Sequence, residues 1–353
     1  MKAFVIEHFG TPDSFQLANL SKPELLPDHL LIKVMATSVN PVDTKIRRGL
    51  IPSITPDFPA VLHGDVAGIV EAVGSNVNTF QVGDEIYGCA GGVKGTGGAL
   101  GEYMLVDRNL IAHKPKSLTM TEAAALPLVS ITAWEGLIDR PQVQSGQGFR
   151  GQKVLVYGGT GGVGHLGVQL AKWAGAEVYA TVSNSAKAAI ALSLGADVAI
   201  NYTDLAVEEF VAQYTDSQGF DLVFDTVGND NLQSAFQAVK LNGTVVSTAS
   251  SSQQDLSLMH AKGLTLHLVY MLLPMLSGIN RSHHGKILVE LAKLVDQGQI
   301  RPLLDPQTFT KSEEAPSFYG GVSLTAEGGH LLGSGGCSCP SRIGTGDGQN
   351  CFD

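Results

Sequence analysis

Cysteine is scarce in this 353-residue chain, with four in all. Cys89 stands alone, and Cys337, Cys339 and Cys351 crowd the last 17 residues, so neither a disulfide framework nor a paired C-x-x-C zinc lobe can be drawn. Positive charge is also in short supply. The 23 Lys and Arg face 33 Asp and Glu, a net charge of −10 that repels phosphate backbones and argues against a nucleic-acid partner. No apolar run reaches the about 20 residues a bilayer crossing needs. The most apolar stretch, LTLHLVYMLLPML at 264–276, is interrupted by His267 and Pro274. The opening MKAFVIEHFG meets Glu7 after a short apolar run and shows no cleavable signal pattern. With the cysteine usage, this sets the expectation of a cytoplasmic protein without a membrane span.

What is present falls into two textures. Residues 1–112 carry short β-rich runs, HLLIKVMATSV, AGIVEAVG, GDEIYG and GEYMLVD, punctuated by Gly and Pro. From about 127 to 272 strands and helices alternate: KVLVYG, GVQLAKWAG, EVYATVS, AKAAIALSLG, DVAIN, FDLVFDTVG, LQSAFQAVK, GTVVSTAS and LTLHLVYML. Such alternation implies βαβ units and a doubly wound parallel sheet, an α/β fold. A helical apolar stripe at Ile287, Leu288, Leu291, Leu294 and Val295 and the short strand candidate RPLL then return to the first domain.

Between the first strand and the first helix of the alternating region lies G-x-G-x-x-G, formed by Gly159, Gly161 and Gly164. In that context the motif predicts a dinucleotide site, because the glycines let backbone approach a pyrophosphate and the helix amino terminus offers N–H donors. Gly162 and Val163 complete the loop. An NAD site places Asp or Glu about 20 residues on, against the ribose 2′-hydroxyl. Here YATVSNSAK has no acid between Tyr179 and Lys187. Ser183 and Lys187 suit a 2′-phosphate instead, which points to NADP(H). On composition alone Lys187 equally suits a solvated helix start.

Landmarks in order along residues 1–311, SVNPVDTKIRRG, HGDVAGIVEAVGSNVNTFQVGDEIYG, AAALPLVSITAWEGL and GQKVLVYGGTGGVGHLGVQLAK among them, resemble the medium-chain dehydrogenase/reductases, within them the quinone oxidoreductase and zeta-crystallin branch. The resemblance implies a GroES-like, mostly β catalytic domain at 1–126 completed by 273–353, and a Rossmann domain at 127–272. It implies that Lys187 and Tyr202 grip the 2′-phosphate of NADPH, and that Asn40 and Thr132 reach the nicotinamide and the acceptor. Related reductases carry tyrosines where this chain has Lys45 and Ile51, so Lys45 or water is left as proton donor. It also implies a homodimer through an edge strand at 264–272.

The superfamily includes zinc alcohol dehydrogenases. Of their catalytic ligands only His63 has a match, because Asn40 and Leu128 stand where thiolates are expected, and one imidazole is not a zinc site. Without a Lewis acid, activated acceptors are favoured: a small hydrophobic quinone or an enone, whose developing charge ordinary hydrogen bonds can meet. Tyr270, Met271, Leu272, Leu273, Met275 and Leu276 could line an apolar acceptor pocket or simply pack the core. Two alternatives stay open, a zinc-type alcohol dehydrogenase and a crystallin-like NADPH-binding protein with little turnover. The end of the chain departs from the family. Ten of the 41 residues from 313 to 353 are glycine and no closing strand is visible. The expectation is a diverged or frame-shifted tail, disordered after about residue 330.

Overall fold

The structure is a computed structural model describing residues 1–141, 148–249, 253–309 and 331–334. Its first part contains β1 (Lys2–Ile6), β2 (Phe15–Asn19), β3 (His29–Val39), α1 (Pro41–Arg47), β4 (Asp65–Val73), β5 (Glu85–Cys89), β6 (Tyr103–Asp107), β7 (Ile111–His113), α2 (Met120–Ala124) and α3 (Pro127–Trp134). The long strand β3 is the hub, pairing antiparallel with β4 on one side and β6 on the other. Eight of its eleven residues are buried, as its run of Leu, Ile and Val suggests for a strand covered on both faces.

The second part runs β8 (Lys153–Tyr157), α4 (Gly162–Trp173), β9 (Glu177–Val182), α5 (Ser185–Ser193), β10 (Val198–Asn201), α6 (Val207–Thr215), β11 (Phe220–Asp225), α7 (Asn231–Ala238), β12 (Val239–Ser247), α8 (Ser257–Lys262) and β13 (Thr265–Leu268). These strands form one parallel sheet in the order β10-β9-β8-β11-β12-β13. Counted from β8 this is 3-2-1-4-5-6, the doubly wound order whose direction reverses between β8 and β11 and opens a ligand crevice there. Two glycines bring helices against that sheet. A Cβ at Gly136 would lie 2.6 Å from the Phe224 ring and one at Gly167 2.9 Å from it. Phe224 is fully buried, so either added methyl would overpack the core.

The chain then returns through α9 (Leu273–Ser277) and α10 (Arg281–Asp296), followed by β14 (Leu304–Phe309) and β15 (Leu331–Ser334). Helix α10 packs on β7 and α3, and Tyr87 donates its hydroxyl to Leu288 O at 2.6 Å. Consecutive histidines add a second tie, His283 Nε2 to Asp139 Oδ2 at 2.7 Å and buried His284 Nε2 to Glu135 Oε1 at 3.1 Å. Both acids lie on a π-helical extension of α3, Glu135–Asp139. One hydrophobic cluster runs from Ile32 and Tyr87 through Val129 to Val156 and Leu166, so the two sheets share a core across the seam.

Three expectations change. The strand expected over 264–272 is limited to Thr265–Leu268, since the chain turns after Val269 toward Pro274, which starts α9 with its fixed φ. Met271, Leu272 and Met275 are buried in the shared core, leaving Tyr270 and Leu273 exposed. A strand also exists where the sequence showed none. Leu331–Ser334 pairs parallel with Ser38 and Val39 of β3 and antiparallel with β14. Two apolar residues among glycines leave no periodicity to read, yet their backbone satisfies an edge of β3. The remainder of the tail lies outside the described residues. Among the described residues no helix is long and apolar enough to cross a membrane.

Candidate active site

The glycine loop is fixed to the end of β9. Gly158 adopts φ +68°, its N–H donates to Thr181 Oγ1 at 3.0 Å, and Gly159 N–H donates to Thr181 O at 3.0 Å. The three motif glycines do different things. A Cβ on Gly159 would meet Ala180 Cβ at 2.6 Å, and one on Gly164 would meet Gly158 O at 2.0 Å, so these two permit the close turn itself. Gly161, at φ −76° and ψ 176°, sits in extended backbone open to any residue and caps α4. Its lack of a side chain is thus not demanded by its dihedrals. What it leaves clear is the approach to the N–H groups of Gly162, Val163 and Gly164, which the first turn of a helix leaves without intrahelical partners.

The ribose end lies just beyond the carboxyl ends of β9 and β10. Asn184 caps α5 by accepting Lys187 N–H at 2.9 Å, and Tyr202 N–H donates to Val182 O at 3.1 Å. This places Ser183, Lys187 and Tyr202 at one rim of the sheet. Lys187 and Tyr202 are exposed and Ser183 half-buried. A tight glycine turn, helix N–H groups and Lys187 on a β9 exit without an acid between Tyr179 and Lys187 fit a dinucleotide carrying an extra phosphate.

The seam between the sheets holds a dense buried network around Asp65, the first residue of β4. Its Oδ2 accepts from Ser38 Oγ and from Asn40 Nδ2, both at 2.8 Å, and its Oδ1 accepts from Leu128 N–H at 2.9 Å. The Cys89 thiol donates to it as well. Full burial raises the Asp65 pKa to about 6, against these hydrogen bonds, which lower it. Asp43 on α1 accepts the Asn40 backbone N–H at 2.7 Å. Burial pushes Asp43 up to about 8, opposed by that N–H and reinforced by the Asp65 charge. The same desolvation holds the Cys89 thiol well above its ordinary range. His63, fully buried two residues before Asp65, is depressed to about 3 by burial and is therefore neutral.

The structure thus brings Asn40 and Leu128 onto one carboxylate, with Thr132 one turn further along α3. Thr132 is buried and donates its hydroxyl to Leu128 O at 2.7 Å. Lys45 is not part of this network. It lies on the exposed side of α1, where Asp43 takes the buried side. Asp65 and Asp43 are the members sequence reasoning missed. Signals existed: an acid opening the otherwise apolar run VAGIV, and an acid three residues after Asn40, the spacing at which a helix N3 side chain returns to the N-cap backbone.

A 3-2-1-4-5-6 parallel sheet with a glycine cradle at its first strand, joined through a polar seam to a mostly antiparallel domain, defines a two-domain, dinucleotide-dependent oxidoreductase. Residues 26–116 match the alcohol dehydrogenase GroES-like domain, and residues 162–282 the zinc-binding dehydrogenase family. A 2-methylene-furan-3-one reductase of Solanum lycopersicum is 35% identical over 329 residues, covering 90% of this chain and 76% of its own. An Arabidopsis thaliana NADPH-dependent alkenal/one oxidoreductase, named as chloroplastic, is 34% identical over 90% of this chain and 75% of its own. The crystal structure of an alcohol dehydrogenase superfamily protein from Novosphingobium aromaticivorans superposes with a TM-score of 0.85 at 40% identity, covering 93% of this chain and 100% of that one. The chain belongs to the medium-chain dehydrogenase/reductase superfamily, in its quinone oxidoreductase branch.

Proposed function

We propose that this protein is an NADPH-dependent, zinc-independent reductase of α,β-unsaturated carbonyls or quinones. The observation that carries the reading is the glycine loop beside a β9 exit that leads into Ser183 and Lys187, with no acid between Tyr179 and Lys187. The enone class of acceptor is supported by the names of the tomato and Arabidopsis relatives. When bound, NADPH supplies the hydride, and the acceptor becomes an enolate or hydroquinone anion that takes up a proton. The chain orients, excludes water and manages that charge. Gly159 to Gly164 and the α4 N–H groups hold the pyrophosphate, while Lys187 pairs with the 2′-phosphate beside Ser183 and Tyr202. Thr132 offers a lone pair to a ligand, because its one hydroxyl hydrogen is committed to Leu128 O. The developing oxyanion is left to backbone N–H groups and water, and the proton enters from the exposed side, from water or Lys45.

Zinc independence is supported by the filled Asp65 network. Both carboxylate oxygens are engaged by protein donors at the place where Asn40 and Leu128 replace thiolates. We assign residues 1–126 with 273–353 to the catalytic unit and 127–272 to the cofactor unit. We further propose a cytoplasmic homodimer formed through β13, the sheet edge beside exposed Leu268, Tyr270 and Leu273.

The test is NADPH oxidation with a panel of enones and quinones, before and after exhaustive chelation, with zinc measured per chain. Activity that survives chelation, with far less than one zinc per chain, supports the reading. Activity lost on chelation and restored by stoichiometric zinc, unless His63 is replaced, would establish the alcohol dehydrogenase reading. Tight NADPH binding with no turnover on any acceptor would establish the crystallin-like one.

A further inference from the structure

His165 lies on the buried face of α4, four residues after Gly161, and is 2% exposed. Burial holds its pKa down to about 4, against hydrogen bonds to the backbone of Gly161 and Gly162, which raise it. The ring is therefore neutral and carries one N–H. Its Nδ1 lies 3.1 Å from Gly161 O. A carbonyl only accepts, so Nδ1 holds the hydrogen and donates it to the glycine loop. Nε2 is buried without a hydrogen-bond partner. An aliphatic side chain would avoid the cost of desolvating that nitrogen, so what a histidine adds at this position is the bond to Gly161.

Gly161 O is thereby held twice, since the His165 backbone N–H also donates to it, at 2.9 Å. Both bonds draw the carbonyl along α4. The peptide unit between Gly161 and Gly162 is planar and trans, so its N–H points the opposite way, out of the helix amino terminus. That N–H is the first donor of the glycine cradle. Neither glycine has a side chain to restrict rotation of this unit, so a second bond to its carbonyl matters here more than elsewhere in the helix. Resting on the NADPH reading above, we propose that His165 is a positioning residue for the cofactor pyrophosphate. Its Nδ1–H fixes the Gly161–Gly162 peptide, so that the Gly162 N–H is aimed at the phosphates before they arrive.

The test is equilibrium binding of three ligands: NADPH, 2′-phospho-ADP-ribose, which keeps the pyrophosphate and lacks the nicotinamide, and adenosine 2′-monophosphate, which lacks the pyrophosphate. The proteins are wild type, the donor-free variants His165→Leu and His165→Met, and His165→Asn. Asparagine carries its amide nitrogen where histidine carries Nδ1, so it keeps the donor while giving up volume. One neutral hydrogen bond corresponds to about 2- to 12-fold in affinity. The leucine and methionine variants are expected to weaken NADPH and 2′-phospho-ADP-ribose equally, by that factor, and the monophosphate not at all. His165→Asn should bind all three ligands like wild type.

A histidine that merely packed the core would give the reverse order, because asparagine leaves a void there and the two longer apolar side chains do not. Monophosphate binding certifies that each variant is folded. Asparagine binding NADPH more weakly than leucine or methionine, a donor-free variant that binds NADPH as tightly as wild type, or equal weakening of NADPH and monophosphate would overturn the proposal. A wild-type protein that binds neither NADPH nor the monophosphate would overturn the NADPH reading instead.

Discussion

Asp43 gives the sharpest test of the buried seam, through the pH dependence of stability. Its carboxyl titrates at about 8 in the folded protein, chiefly because burial disfavours the charge. Unfolded, it should titrate near the model-peptide value of about 3.9. Between those values the folded state holds a proton the unfolded state has released, so stability falls as pH rises through the window. Other groups obscure its lower part. Asp65, raised to about 6, adds to the fall, while His63 at about 3 and His165 at about 4 oppose it, being neutral when folded and charged when unfolded. His63, His165 and Asp65 contribute alike to wild type and to a variant lacking only the Asp43 carboxyl, so the difference between the two proteins isolates Asp43. Of the groups facing it, the Cys89 thiol is held well above this range. One proton corresponds to about 1.4 kcal/mol per pH unit, and because Asp43 is half ionised by pH 8 its share of the loss from pH 6.5 to 8 is about 1.6 kcal/mol. Asp43→Asn keeps a carbonyl oxygen for the Asn40 N–H and removes the titration. Urea unfolding at four pH values across that interval should show wild type losing about 1.6 kcal/mol relative to the variant. Parallel slopes in the two proteins would refute the assignment.

Further outcomes follow from the loop and its rim. Gly161→Val should abolish NADPH binding with thermal stability retained, since its backbone is extended and the branched side chain would fill only the approach to α4; fluorescence titration with a melting curve checks both. Gly164→Ala should do the opposite damage, lowering the melting temperature as well as binding, because its Cβ would lie 2.0 Å from Gly158 O. Lys187→Ala should weaken NADPH by about 10- to 150-fold and leave NADH nearly unchanged, the worth of one charge-assisted hydrogen bond to the 2′-phosphate. Equal loss for both cofactors would remove Lys187 from the site. Leu268→Lys at the edge of the parallel sheet should yield monomers in sedimentation if β13 joins two copies.

Local patterns reached some of this architecture and stopped short of the rest for identifiable reasons. The βαβ alternation and the glycine spacing sufficed for the parallel sheet and the cradle, because strand, turn and helix there are neighbours in sequence and each is specified by its own residues. The missing acid after β9 could be read directly, since only one helix and one strand separate that position from the glycine loop. The seam was not. Asn40 lies 25 residues from Asp65 and Leu128 lies 63 from it, and no periodicity links three segments that meet only after β3, β4 and α3 have packed.

That distance also explains why Asn40 could be singled out while its partner Asp65 could not. An asparagine in isolation offers both a donor and an acceptor, and sequence position alone does not say which of them is engaged. Asp65 engages the nitrogen and leaves the oxygen open, while Leu128 O takes the Thr132 hydrogen in the same way. Both side chains thus donate to a buried acceptor of the protein itself. Backbone N–H groups are the donors at this seam that no side chain has already used, and an acceptor whose product spreads its own charge makes the smallest demand on them.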